Sequence, residues 1–206
     1  MTNALGNTMT FSYNKVGLVS KNTDYEGNEY KFSYDKFGNN TKIVSPNGAV
    51  LEDTFDLEGR VVNEKAANGL ETTYTFNEKG QLSGDSTNAG ANNSYIYDKA
   101  SRLIAATNAK EATISYTYDL NSNVTLLESA MGKKTLYKYD VMYNLVSETN
   151  ALGEETTYEY NARGDLVSVN DNGSIYTYEV DALGNVVSSL PCPSVCIPSL
   201  WYLSKM

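Results

Sequence analysis

Histidine is absent from the 206 residues. With it go Ser-His and Cys-His nucleophilic pairs, histidine-ligated metals and the ordinary side-chain switch near neutral pH. The chain has one tryptophan, and its two cysteines, Cys192 and Cys196, both follow residue 190. Basic side chains are outnumbered, 16 against 25 acidic ones, for a net charge of -9. This excludes nucleic acid as a partner, because phosphate binding requires clustered Lys and Arg. No apolar run is long enough for a membrane span, and residues 1–20 lack the basic stretch and apolar core of a secretory signal. Neither the phosphate-cradling G-x-x-x-x-G-K-[ST] string nor a dinucleotide fingerprint occurs. The 41% of hydrophobic residues is nonetheless ample for folding, and the length suits one domain.

What the sequence has in excess is tyrosine, 17 residues, and it is metered. Tyr13, Tyr34, Phe55, Phe76, Tyr97, Tyr118, Tyr139 and Tyr160 stand 21 residues apart, and Val180 follows after 20. The next residue is Asp or Asn in every copy: Asn14, Asp35, Asp56, Asn77, Asp98, Asp119, Asp140, Asn161 and Asp181. Three residues further stands glycine at Gly17, Gly38, Gly59, Gly80, Gly164 and Gly184, with Ser101, Ser122 and Tyr143 in its place in three consecutive copies. A fixed period of this kind marks a repeat array.

Two residues before the metered ring there is a second one, as at Phe11, Phe32, Tyr74, Tyr95, Tyr116, Tyr137, Tyr158 and Tyr178; Asp53 is the exception. An i, i+2 pair shares a face on a strand and is spread around a helix, so the spacing predicts extended structure. The Asp/Asn-x-x-Gly string then predicts a type I turn closed by a left-handed glycine and a G1 bulge. A short apolar run follows, such as Leu103-Ile104 or Leu166-Val167, and predicts the returning strand. Looser turns are expected at Asn47-Gly48, Asn68-Gly69, Asn88 to Gly90, Asn150 to Gly153 and Asn172-Gly173. Ser101 and Ser122 are expected to mark relaxed turns that need no left-handed residue. In the copy from Glu71 to Asp85, strands are expected at Thr72 to Phe76 and Gln81 to Asp85.

A lone two-stranded hairpin is marginal in water, so successive copies must pair edge to edge. The expected fold is all-β, tandem 21-residue hairpins in a continuous antiparallel sheet that twists into a curved or spiralling wall. Array residues are 2–190, in about nine copies, and the tail 191–206 is expected to be disordered. The ring rows are expected to be packed core rather than sugar-stacking platforms, since cell-wall-binding repeats of comparable length use many tryptophans.

The unit Tyr-x-Tyr-Asp-x-x-Gly-Asn/Arg-Leu/Val, seen here in TTYEYNARGDL, YKFSYDKFGNN and TYEVDALGNVV, resembles the YD repeat of Rhs proteins. Repeats of that family occur in bacterial polymorphic toxins, in insecticidal toxin complexes and in teneurins. The resemblance covers about residues 2–190. It implies a segment of a hollow shell that encloses a C-terminal toxin domain, in a secreted or cell-surface parent protein. The implied partners are further Rhs repeats or the enclosed toxin, and self-association through open sheet edges is expected. The family's Asp-Pro-containing core segment is absent, so no catalytic aspartate is carried over. Asn3-Ala4-Leu5-Gly6 matches Asn150-Ala151-Leu152-Gly153, as expected of a truncated member that starts inside a repeat.

Other chemistry finds little support. Neither the EF-hand loop nor the calcium β-roll nonapeptide occurs, and the repeat aspartates already have turns to cap. Two cysteines supply only half of a structural zinc site and are expected to be free thiols. No cofactor, metal or catalytic residue is assigned. Two further readings stay open: a glycan- or surface-binding module using exposed tyrosines, and a gene remnant without function of its own.

Overall fold

The computed structural model describes residues 1–192, with side chains through residue 189. The expectations for the remainder of the tail and for Cys196 lie outside the described residues, as does that for the side chain of Cys192. The fold is all-β, as the period predicts: among the described residues there are eighteen strands and no helix. No helix, therefore, is long and apolar enough to cross a membrane. The chain divides into two compact units, Met1–Ile96 with Thr107–Glu111, and Tyr97–Ala106 with Ala112 onward.

The first unit is a meander of β1 (Thr10–Tyr13), β2 (Val19–Thr23), β3 (Glu29–Tyr34), β4 (Asn40–Val44), β5 (Val50–Phe55), β6 (Val61–Lys65), β7 (Glu71–Phe76), β8 (Leu82–Thr87) and β9 (Asn92–Tyr97). Each strand pairs antiparallel with the next. The second unit repeats the plan with β10 (Leu103–Thr107), β11 (Thr113–Tyr118), β12 (Val124–Glu128), β13 (Lys134–Tyr139), β14 (Leu145–Thr149), β15 (Glu155–Tyr160), β16 (Leu166–Asp171), β17 (Ser174–Val180) and β18 (Val186–Cys192). From β11 onward each strand again pairs antiparallel with its successor. β18 runs two residues past the last metered copy, pairing Tyr176 with Pro191 and Ile175 with Cys192.

The metered ring ends the first strand of each hairpin, and the register slips there by one residue. Ser33 faces Lys42, for example, but Tyr34 faces Asn40. This is the bulge that the turn string calls for. The turn itself closes with two backbone bonds, Asp35 N–H to Asn39 O (3.0 Å) and Gly38 N–H to Asp35 O (3.3 Å). Gly38 sits at φ +93°, where a side chain would be strained. The far-end turns are built the same way and are no looser: Ser45 N–H bonds Ala49 O at 2.8 Å and Gly48 N–H bonds Ser45 O at 2.9 Å. The exception is Asn172-Gly173, where Asp171 faces Ser174 directly and both central residues have positive φ, a two-residue type I′ turn. That shorter connection accounts for the spacing of 20 before Val180.

Two expectations fail. Ser101 and Ser122 are not in relaxed turns: they hold φ of 69° and 72°, the left-handed conformation that glycine takes in the other copies, and Tyr143 at the same position holds 66°. The hydrogen-bonded loop dictates the backbone, and the side chain accepts the strain. Nor do the rings form a buried core. Each meander is one layer thick, and among the described residues no hydrophobic side chain is buried. Phe32, Tyr34, Phe55, Phe76, Tyr116 and Tyr118 are half-buried, while Phe11 and Tyr13 on β1 are 40% and 61% exposed. A ring so placed contributes only part of the 3–5 kcal/mol typical of a buried aromatic.

Ser122→Gly should therefore raise stability by about 1 kcal/mol, the relief of a left-handed non-glycine residue less the entropy glycine adds to the unfolded chain. Gly38→Val should lower it by about 1–2 kcal/mol. Urea-unfolding midpoints of the full chain check both signs.

Candidate functional site

With a sheet one layer thick, what can act is a face or a rail of turns. The rail starts from the Asp or Asn that follows each metered ring. In the second repeat Asp35 Oδ1 accepts from Phe37 N–H (2.8 Å) and Asn39 N–H (3.0 Å), and Oδ2 accepts from the Asn39 side-chain amide (2.9 Å). The same three-way grip recurs at Asp119 with Asn123, at Asp140 with Asn144 and at Asp181 with Asn185. Asn161 with Asp165 reverses the roles of amide and carboxylate. The asparagine amide at the fourth position holds the carboxyls of Asp35, Asp119, Asp140 and Asp181 below the usual carboxylate range.

In two repeats arginine replaces that asparagine and reaches further. Arg60 pairs with Asp56 (2.6 Å) and its guanidinium lies 4.5 Å from the centre of the Phe76 ring, one repeat along. Arg102 pairs with Asp98 (2.7 Å), lies 4.6 Å from the Tyr118 ring and donates to Asp119 O at 2.8 Å. Arg163, two positions earlier in its turn, donates to Ala182 O and Asp181 O. These arginines tie one turn to the next, a role the sequence reading missed. The signal was present: the fourth residue after the repeat Asp/Asn is Asn or Arg in six of nine copies.

The metered tyrosines make a second tie. Tyr34 Oη donates to Val19 O (2.8 Å), Tyr118 Oη to Leu103 O (2.6 Å) and Tyr160 Oη to Leu145 O (2.9 Å). Each acceptor lies fifteen residues back, in the hairpin before. Phe55 and Phe76 hold the same repeat position without a hydroxyl.

Register sorts the remaining side chains between two faces. In the first unit Asp53 pairs with Glu64 and Tyr74 with Asp85, so these three carboxylates share the ring face. The strand lysines Lys21, Lys31, Lys42 and Lys65 lie on the opposite face, paired with Glu29, Glu52 and Glu71 at 2.7–3.3 Å. Asp85 is satisfied by Tyr95 Oη and the Asn93 amide, both at 2.8 Å. Asp53, which stands where other copies carry a ring, keeps a buried Oδ1 without a hydrogen-bond partner. Burial pushes its pKa up. In the second unit an open groove of about 800 Å3 passes between Asp140, Asn144, Tyr158, Tyr160 and Arg163. Among the described residues no three His, Cys, Asp or Glu side chains are placed to hold a metal ion.

Asp53 sets a pH dependence of opposite sign to that of the turn aspartates. On β6 its charged neighbour is Glu64; β4 offers only Thr41 and Ile43 on that face. With a folded pKa above the unfolded one, Asp53 penalises the fold at neutral pH, and the penalty fades as pH falls through the folded value. Asp53→Asn should therefore raise the melting temperature at pH 7, and the gain should vanish below about pH 4. Melting curves of both proteins across that range check it.

Comparison with known proteins agrees with this geometry. A family model for the teneurin YD-shell matches residues 49–147, and one for the RHS repeat matches residues 13–50 and 144–175. No curated protein matches the chain. Among solved structures, the Photorhabdus luminescens Tc holotoxin pore is similar at a TM-score of 0.57 and 15% identity, over 92% of this chain and 13% of that one. The crystal structure of TcdB2-TccC3-Cdc42 gives the same score and identity over 92% and 14%, and that of TcdB2-TccC3 over 90% and 14%. The chain thus spans about one seventh of the length of these neighbours, and the likeness is one of fold. The two family models together span residues 13–175, and the chain belongs to the Rhs/YD-repeat family.

Proposed function

We propose that the chain is a wall segment of a Rhs/YD-repeat shell, with no catalytic task, in a bacterial secreted or surface toxin whose C-terminal toxin domain the shell encloses. The observation that carries the reading is the pairing of successive hairpins, within each unit, into a single layer with no buried hydrophobic side chain among the described residues. A sheet of this kind separates two spaces. The half-exposed ring face favours a second reading, glycan stacking on tyrosine. Three of the metered rings, however, already use their hydroxyls as ties between hairpins. Further repeats are the proposed partners at β1, whose Phe11 and Tyr13 are the most exposed of the paired rings in the first unit. Self-association through that edge is the alternative.

The test is limited proteolysis of the parent polypeptide carrying this segment. Its C-terminal domain should resist protease while the shell is intact, and become cleavable after Gly38→Val and Gly164→Val open the wall. Equal cleavage rates before and after would contradict enclosure.

A further inference from the structure

The ring face is charged on one side of the ledger only. In the first unit it carries Asp53, Glu64 and Asp85 within its strands, and every lysine of those strands lies on the opposite face. The second unit, taken by itself, shows the same sorting. Glu148 faces Tyr137 and Asp171 faces Thr156 on the ring side, whereas Lys134 and Lys138 lie on the other. Arg60 leans over the ring face at its turn edge but is neutralised by Asp56.

Stability does not explain the arrangement. Like charges directly opposite on a pleated face are destabilising, and Asp53 and Glu64 are such a pair. A lysine on either neighbouring strand would relieve them, and the strands have lysines to offer, all on the far side. The two orphaned acceptors among the described residues, Asn22 Oδ1 and Asp53 Oδ1, both belong to this face, for Asn22 stands opposite Phe11 and Tyr30. Half-buried rings flank them: Phe32, Phe55 and Tyr74. Asp53, Glu64 and Asp85 form no ion pair among the described residues, and carboxylates beside aromatic faces are complementary to ammonium and guanidinium groups, which both carboxylates and ring quadrupoles attract.

We propose that the ring face of the first unit is a docking surface for a cationic polypeptide segment, held by Asp53, Glu64 and Asp85 with the neighbouring rings. The inference rests on the wall reading insofar as the occupant is an enclosed polypeptide. It adds which face is turned to that occupant and what charge the occupant carries.

The test uses the full chain and octalysine as probe, by titration calorimetry at low ionic strength. Octalysine should bind. The triple variant Asp53→Asn, Glu64→Gln, Asp85→Asn should weaken binding by about tenfold or more. The triple variant Glu29→Gln, Glu52→Gln, Glu71→Gln, which removes the same charge from the opposite face, should change it by less than about twofold. Equal losses would reduce the effect to net charge and overturn the proposal, as would absence of binding. Should a variant fail to fold, carbodiimide cross-linking of octalysine to the unaltered chain gives a second readout: adducts at Asp53, Glu64 and Asp85 support the proposal, and adducts confined to the other face overturn it. Binding of a soluble glycan that displaces octalysine and ignores the carboxylate changes would also overturn it, in favour of sugar stacking. Loss of octalysine binding alongside intact protease protection would remove this inference and leave enclosure standing; the converse result would do the reverse.

Discussion

A β-hairpin one layer thick can bury its rings only against the hairpin beside it, and the structure depends on that sideways contact. The metered ring packs at the bulge of its own hairpin while its hydroxyl, in Tyr34, Tyr118 and Tyr160, reaches a carbonyl of the hairpin before. Arg60 and Arg102 run the opposite way, from one turn to the ring of the next. Each tie is modest, about 0.5–1.5 kcal/mol for a neutral hydrogen bond and of similar size for a cation over a ring. Repetition is what makes them sufficient. Stability in such an array is a sum over neighbours rather than the property of a centre.

This explains why so much of the fold was legible. The i, i+2 rings at Phe32 and Tyr34 fix strand and face, and the Asp35-to-Gly38 string fixes the turn. The constant interval fixes which strand meets which. What the sequence hid was set by the loop as a whole. Ser122 resembles a lapse from the glycine rule, yet the bond from its N–H to Asp119 O (3.3 Å) holds it in the same conformation. Burial was hidden too. A row of rings reads alike whether a second layer covers it or not, and here none does. The arginine ties were in plain sight at Arg60 and Arg102, but a charged residue after a turn reads as solvent-facing until the ring one repeat away is placed beneath it.

Charge sorting was the least visible feature. Asp53, Glu64 and Asp85 are unremarkable in a chain with 25 acidic residues. Only the register shows that they share a face with the rings while Lys21, Lys31, Lys42 and Lys65 share the other. The two faces then differ in kind: one a lattice of compensated ion pairs, the other aromatic and acidic. A wall with unlike faces is suited to holding unlike spaces apart, as the proposed role requires.

Ties between neighbouring hairpins hold the fold, without a buried core among the described residues. The heat-capacity change of unfolding measures this most directly, because it scales with the apolar surface released. Calorimetry of the full chain should give a value per residue clearly below the about 12–15 cal/mol/K of ordinary globular domains. A value at or above that range would mean that the chain buries a conventional core, and would contradict the account.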